Sequence, residues 1–239
     1  MKKLFLSFLL FTATGTALLA QRTFNDVNAE KRTVSGFHGI DVGTGISLVL
    51  TKGNAEEVAV SASKAEYRDK IITKVENGIL KIHYKSEAGS INKIKESKDL
   101  KAYVSYKSLD QLTASTGAEV EIDGVLEAAN FNLTANTGAL VNGKIKATKL
   151  KVSQDTGSKI TLSGSSDQME VDGDTGSKFM GEDLSAVSCD INVSTGAKVW
   201  ITADKELKVK ASTGGMVKYK GTASLKEIKK NTGGSVSKI

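Results

Sequence analysis

The chain has 239 residues, 39% of them hydrophobic and 25% charged, with 23 Gly, no Pro, one Cys, two His and a net charge of +6. One cysteine forms no intramolecular disulfide, and one Cys with two His does not furnish a Cys/His zinc site. The absence of Pro excludes collagen-like and Pro-rich segments, and the apolar content is enough for a packed core of one or two domains rather than general disorder.

Met1-Lys2-Lys3 is basic, Leu4 to Phe11 is apolar apart from Ser7, and small residues lead to Ala17-Leu18-Leu19-Ala20. This pattern reads as a secretory signal peptide over residues 1–20, cut after Ala20. Thr12, Thr14, Gly15 and Thr16 interrupt the apolar stretch, which is too short for a membrane anchor. No Cys stands at the cleavage point for a lipoprotein anchor, and no later apolar run reaches the ~18 residues of a transmembrane helix. The mature chain is expected to be exported, to the periplasm, the outer surface or the extracellular space.

Residues 30–108 read as an irregular β-rich part, continuous with the second half of the chain. Ile40-Asp41-Val42-Gly43-Thr44-Gly45-Ile46-Ser47-Leu48 has an aliphatic, Thr-Gly, aliphatic pattern. Ile46 to Leu50 and Val58 to Ala62 read as a strand pair, and Glu66 to Lys70 as a helical turn. Ile71 to Val75 and Ile79 to Tyr84 flank Asn77-Gly78, a hairpin signal. Glu87 to Asp99 is polar and reads as a loop, and Leu100 to Tyr106 alternates as a strand.

From residue 109 to 239 a repeat dominates. Thr-Gly recurs at Thr116, Thr137, Thr156, Thr175, Thr195, Thr213 and Thr232, at intervals of 21, 19, 19, 20, 18 and 19 residues. Four residues before each Thr stand Leu112, Leu133, Val152, Val171, Ile191, Val209 and Ile228; four after stand Val120, Val141, Ile160, Phe179, Val199, Val217 and Val236. The columns between are mostly polar, so the period is two and the elements are strands. The corner glycines are Gly117, Gly138, Gly157, Gly176, Gly196, Gly214 and Gly233. They supply the positive φ of a tight turn, which the Ser, Asn or Asp before each Thr can close with its side chain. One copy cannot bury its apolar face alone, but stacked copies can. The fold is therefore expected to be all-β, a parallel β-solenoid of seven rungs of about twenty residues, roughly 34 Å long. Without Pro, its strand ladders are uninterrupted. Lys230 and Lys238 fall in inward columns of the last rung, where they either discourage edge-to-edge stacking or sit on a fraying strand.

The mature chain has a net charge of +4 once Lys2 and Lys3 are removed. It divides into +4 over residues 21–108, −7 over 109–204 and +7 over 205–239. Its basicity is Lys without Arg in the repeats, beside an acidic middle, so solvated faces explain it better than nucleic-acid binding does.

Four groups of residues carry a family resemblance. They are Phe37-His38-Gly39-Ile40 with the Gly-Thr-Gly just after it, the Asn77-Gly78 hairpin with Ile79-Leu80-Lys81-Ile82, the entry Leu109-Asp110-Gln111-Leu112, and the Gly-centred turns. Over residues 30–239 the sequence resembles the head-GIN-domain putative auto-transporter adhesin family of Gram-negative secreted proteins. The resemblance implies a right-handed β-helix, a role in cell adhesion, and no catalytic residues.

Each candidate site competes with a role in a turn or in the core. Asp155-Thr156-Gly157-Ser158 and Asp174-Thr175-Gly176-Ser177 match the Asp-Thr-Gly-Ser of aspartic proteases. The same column also holds Ser115, Asn136, Ser194, Ser212 and Asn231, which is turn chemistry. Stacked Asp155 and Asp174 either bind a cation as a weak Ca²⁺ pair, share a proton or splay into water, with Lys159 and Lys178 near enough to neutralise them. No other metal, cofactor or catalytic residue is expected. Lyases of this fold class use Arg or Lys as base, but Arg occurs only at Arg22, Arg32 and Arg68, outside the repeats. Cys189 falls in a column with Phe131, Leu150, Met169 and Leu207 and reads as a buried thiol. His38 and His83 share no motif. Met180 and Trp200 occupy an outward column on successive rungs. They form either a contact patch for a partner or an apolar pair packed under the N-terminal segment, the usual fate of large apolar groups. Together these features read as a secreted, non-enzymatic, adhesin-like binding or scaffolding protein for a surface protein or glycan, with homo-oligomerisation open. The alternative is a carbohydrate-active or glycan-binding β-helix.

Overall fold

Two successive residues at positive φ close every Thr-Gly corner of the fold. Thr44, Thr116, Thr137, Thr156, Thr175, Thr195, Thr213 and Thr232 have φ of 45–57°, and the glycine after each has φ of 69–77°. With the hydrogen bond from Ala118 N–H to the Ser115 carbonyl (3.0 Å) and its equivalents at each later corner, these are type I′ turns. The sequence pattern places positive φ on the glycine alone. Thr shares it, although a β-branched residue there is strained by about 1–2 kcal/mol. The strain is offset by a ladder that runs through the corners. Each corner glycine N–H donates to the carbonyl of the next corner's Thr, from Gly45 to Thr116 and on to Gly214 to Thr232, at 2.9–3.1 Å.

The computed structural model describes residues 26–85 and 97–239. The signal-peptide reading over residues 1–20 and most of the expected loop after Glu87 lie outside these. In chain order the elements are β1 (Glu30–Arg32), β2 (Gly39–Val42), β3 (Ser47–Lys52), β4 (Glu57–Ser61), α1 (Ala65–Arg68), β5 (Ile71–Glu76), β6 (Ile79–Tyr84) and β7 (Lys101–Tyr106). Beyond them come β8 (Gln111–Ala114), β9 (Glu119–Ala135), β10 (Leu140–Gln154), β11 (Lys159–Gly173), β12 (Lys178–Val193), β13 (Lys198–Ala211), β14 (Met216–Lys220), β15 (Ser224–Lys230) and β16 (Ser235–Lys238). From β8 onward every pairing is parallel, so the fold is the expected parallel β-solenoid. The aliphatic columns flanking Thr-Gly point inward and are buried up to Val217, as are Ala118, Ala139, Ser158, Ser177 and Ala197 just inside the corners.

Each of β9 to β13 spans from one corner to the next and bends midway, at a second corner. Gly124, Gly164 and Gly221 mark it with φ of 87°, 115° and 102°. Most differences in rung length are absorbed near it, with register shifts between Asn142 and Lys144, Thr161 and Ser163, Gly181 and Ser185, and Ala186 and Ser188, while the last shift, between Leu207 and Lys208, falls on the strand entering the corner. The Thr-Gly corner itself stays in register throughout.

The N-terminal part interleaves with the stack. β2, the Thr44-Gly45 corner and β3 form a rung directly beneath β8 and β9, with Ile40 opposite Leu112 and Leu48 opposite Val120. On its other side lie β6, parallel to β2, and β7, parallel to β3. Antiparallel strands then end the parallel ladder: β5 on β6, β4 on β7 and β1 on β4. The Asn77-Gly78 hairpin forms as expected, with φ of 51° and 76°, and α1 occupies the expected helical turn. The expected pairing of the Ile46–Leu50 and Val58–Ala62 strands does not form, because β7 lies between β3 and β4. At the other end, Lys230 stands opposite Ala211 and Lys238 opposite Tyr219, in inward register yet solvent-exposed on the last rung.

The two kinds of glycine corner should respond differently to a methyl group. A Cβ on Gly157 meets nothing within 4 Å, whereas on Gly164 it would lie 2.0 Å from the Ile145 carbonyl oxygen. Gly157→Ala should cost about 1–2 kcal/mol, the left-handed backbone strain alone. Gly164→Ala should cost about 3 kcal/mol or more, since strain and overpacking add. Urea unfolding of the two variants measures the difference; equal losses would contradict this account of the second corner.

Candidate binding surface

Side chains that point outward from in-register parallel strands form columns with one residue per rung, about 4.8 Å apart. The strands that enter the Thr-Gly corners present two such columns. One runs Gln111, Asn132, Lys151, Glu170, Asp190, Lys208, Glu227; the other runs Thr113, Thr134, Ser153, Asp172, Asn192, Lys210, Lys229. Charges of both signs are interspersed on this face, and some are paired. Lys151 Nζ donates to Glu170 Oε1 at 2.8 Å and lies 3.8 Å from Asp172, and Asn192 Nδ2 donates to Asp172 Oδ1 at 3.0 Å.

The strands that leave the corners present a second face. One column runs Glu119, Leu140, Lys159, Lys178, Lys198, Met216, and beside it run Glu121, Asn142, Thr161, Met180, Trp200, Lys218. Met180 and Trp200 are direct neighbours and partly exposed. The expected cover by the N-terminal segment is not found in the described residues. That segment meets the same column at its far end, where Tyr103 Oη donates to Asp26 Oδ2 at 2.9 Å. From Tyr103 the column passes Val49, Glu121, Asn142, Thr161 and Met180 before it reaches Trp200, roughly 29 Å away.

Hollows on the surface are shallow and small. One, about 390 Å³, is lined by residues including Glu127, Lys146, Ser165 and Asp167. Another, about 360 Å³, lies against the corners and includes Asp155, Asp172, Asp174 and Asn192. The two Asp-Thr-Gly-Ser matches therefore sit on adjacent rungs of one edge, and their carboxylates serve the turns. Asp155 Oδ1 accepts from the Thr156 N–H at 2.6 Å, and Asp174 Oδ1 accepts from the Thr175 N–H at 2.7 Å and from Ser194 Oγ at 2.9 Å. The Thr195 hydroxyl first, then the Thr175 N–H and the Ser194 hydroxyl, hold the Asp174 carboxyl below its ordinary value. Among the described residues, Lys159 and Lys178 form no ion pair with either Asp, and no three His, Cys, Asp or Glu cluster as a metal site.

Cys189 lies in register with Met169 and Leu207 and is 4% exposed. Burial, with a smaller contribution from the Asp204 charge, pushes its thiol up to about 12. The histidines each meet an aspartate, His38 Nδ1 and Asp110 Oδ1 at 2.8 Å and His83 Nε2 and Asp41 at 3.7 Å. Gln154, a buried polar residue in an inward column, is a feature that the sequence pattern does not single out. Its amide bridges to the next rung, donating to the Lys178 carbonyl at 3.2 Å and accepting from the Phe179 N–H at 3.1 Å. Gly173 stands opposite Gln154 in the same column on that rung.

A parallel solenoid with regularly spaced outward columns defines a class of repeat scaffold. Within that class the chain belongs to the family described as "Putative auto-transporter adhesin, head GIN domain", whose model matches residues 36–223. Among curated proteins none matches. Solved structures share the fold. A putative adhesin from Bacteroides fragilis superposes with a TM-score of 0.77 at 17% identity, over 88% of this chain and 96% of that one. A putative adhesin from Parabacteroides merdae gives 0.70 at 14% identity, over 88% and 95%. A putative lipid binding protein from Parabacteroides distasonis gives 0.60 at 18% identity, over 90% and 98%. Among the described residues no helix is long and apolar enough to cross a membrane.

The corner carboxylate gives a pH-dependent expectation. A lowered pKa contributes stability that is present above the unfolded value, 3.8, and is lost as pH falls through the folded value. Asp174→Asn keeps a residue the column already accepts, so its stability deficit against the wild type should be small, constant above pH 3.8 and shrinking below it. Urea titrations across that range measure it, and a deficit that grows on acidification would refute the assignment. The thiol gives a second expectation. Cys189 should react slowly with a thiol reagent in native protein and fast in denaturant, and fast native labelling would contradict its burial.

Proposed function

We propose that the protein is an exported, non-enzymatic, adhesin-like component of the cell envelope, holding a surface protein or glycan on the outward faces of its strands. One observation carries the reading: the side chains available for contact stand in columns, one residue per rung, along the outward faces of the parallel strands. Such a surface offers many equivalent shallow contacts and suits an extended ligand. Membership of an adhesin family supports the same conclusion. The leader-like pattern of residues 1–20 supports export.

Beads carrying the protein, exposed to arrayed glycans, matrix proteins and whole cells, should be retained by at least one of them. The retained ligand should be recovered chemically unchanged. New reducing ends or unsaturated sugars after incubation would instead favour a carbohydrate-active protein. No retention on any surface, with the folded protein verified, would refute the adhesin reading.

A further inference from the structure

The two faces differ in how far their charges are paired. On the face that enters the corners, Lys151 pairs with Glu170 and Asp172 and Lys229 with Glu227, and one like-charge neighbour pair, Lys210 and Lys229, stands at the last rung. On the face that leaves them, Lys159, Lys178 and Lys198 stand directly in register on three successive rungs, and Lys218 stands in the adjacent column on the fourth. None of the four forms an ion pair among the described residues. Like charges opposite one another in a sheet destabilise it, so the row is a standing cost to the fold. It ends beside Trp200, which lies between Met180 and Lys218. Carboxylates stand at one end of the row and along one side of it. Glu119 and Glu121 stand on the rung nearest the N-terminal part, and Glu182 and Asp183 line the hollow beside Met180, farther from the corners.

We propose that this row is a binding track for a linear anionic polysaccharide, carboxylated or sulfated, lying along the solenoid axis with a sugar ring against Trp200. The inference rests on the adhesin reading and names its ligand. Rung spacing of about 4.8 Å approximates the length of one hexose residue, so a chain with one charge per sugar meets one lysine per rung over about 14 Å. An anionic ligand also relieves the repulsion along the row, and the carboxylates repel it at that end and that side. A Trp beside basic groups is the combination that concentrates binding energy at a shallow interface. Single-stranded nucleic acid fits less well, since its affinity draws on several stacked aromatics and Arg, and this track has one aromatic and no Arg.

Trp200 is the sole Trp of the chain, so its emission reports from the track itself. Polygalacturonate or heparin should shift that emission to shorter wavelength and saturate it, while neutral dextran should not, and added salt should weaken the affinity. A Lys178→Gln, Lys198→Gln, Lys218→Gln variant, with a melting temperature at or above the wild type's, should bind about fivefold more weakly per lysine removed. The proposal is overturned if neither polyanion alters the emission, if the triple variant binds as the wild type does, or if oligothymidylate binds as tightly as the polysaccharides. In any of these cases retention in the bead assay leaves the adhesin reading standing; loss of retention there removes both.

Discussion

The structure depends on a hydrogen bond that most folds do not make: from the glycine N–H of one tight turn to the threonine carbonyl of the turn above it. A type I′ turn usually ends a ladder, because it reverses the chain between two antiparallel strands. Here it is a corner between strands that each pair with the rungs above and below, and the ladder continues through it. A Thr at φ near 45° is unfavourable in isolation. Repeated in register it fixes the orientation of every corner peptide, and seven glycine-to-threonine bonds result. Small residues follow the glycine at every corner from Thr116 onward, whereas Ile46 follows Gly45 at the first, and the constraint explains why the aliphatic columns on either side keep strict register. Slipping one corner by a residue would break its bonds to both neighbours and turn an aliphatic column to solvent.

That constraint also decides what can be read in the sequence. The Thr-Gly corner is legible because its geometry admits few residues and its periodicity is enforced by neighbours. The second corner is not legible, because β9 to β13 bend there with whatever residue is to hand. Gly124, Gly164 and Gly221 occupy positive φ, but Ile145 and Leu184 lie beside Gly164 in register. Rung length is free to vary where no ladder of identical turns polices it, so insertions collect there as bulges. The N-terminal part is legible as elements and illegible as topology. Alternation identifies β3, β4 and β7, but nothing local in those strands says that β7 inserts between the other two. Partner choice is a non-local contact, settled by which edges of the stack remain open. A parallel stack must end somewhere, and the antiparallel strands β1, β4 and β5 end this one by offering it no further parallel edge.

The same division runs through the surface. Period two is enough to place Cys189 inside, Trp200 outside and the two aspartates in turns. It cannot say what covers Trp200, because the N-terminal segment, the expected apolar cover for a large side chain, packs on Tyr103 instead. Nor can it show that Lys159, Lys178 and Lys198 lack counter-ions, since pairing is a property of register across rungs. Gln154 escapes notice because a single polar residue in an inward column looks like an exception. It satisfies its amide on the next rung's backbone.

A scaffold built this way offers function a particular kind of freedom. Inward residues and corner residues are held by the ladder, but each outward column can change, one residue per rung, at a much smaller cost to the fold. Sequence identities of 14–18% with superposable structures are what such freedom produces, and they carry the fold without carrying the ligand. Binding strength on such a face grows with the number of rungs engaged rather than with the quality of any single contact, since each added rung acts within the reach of a ligand already held. Four weak lysine contacts in line can therefore achieve what one deep pocket achieves elsewhere, provided the ligand repeats along its length as the protein does. A row of unpaired like charges is costly in a monomer that binds nothing, and becomes favourable only against a partner with the opposite charge at the same interval.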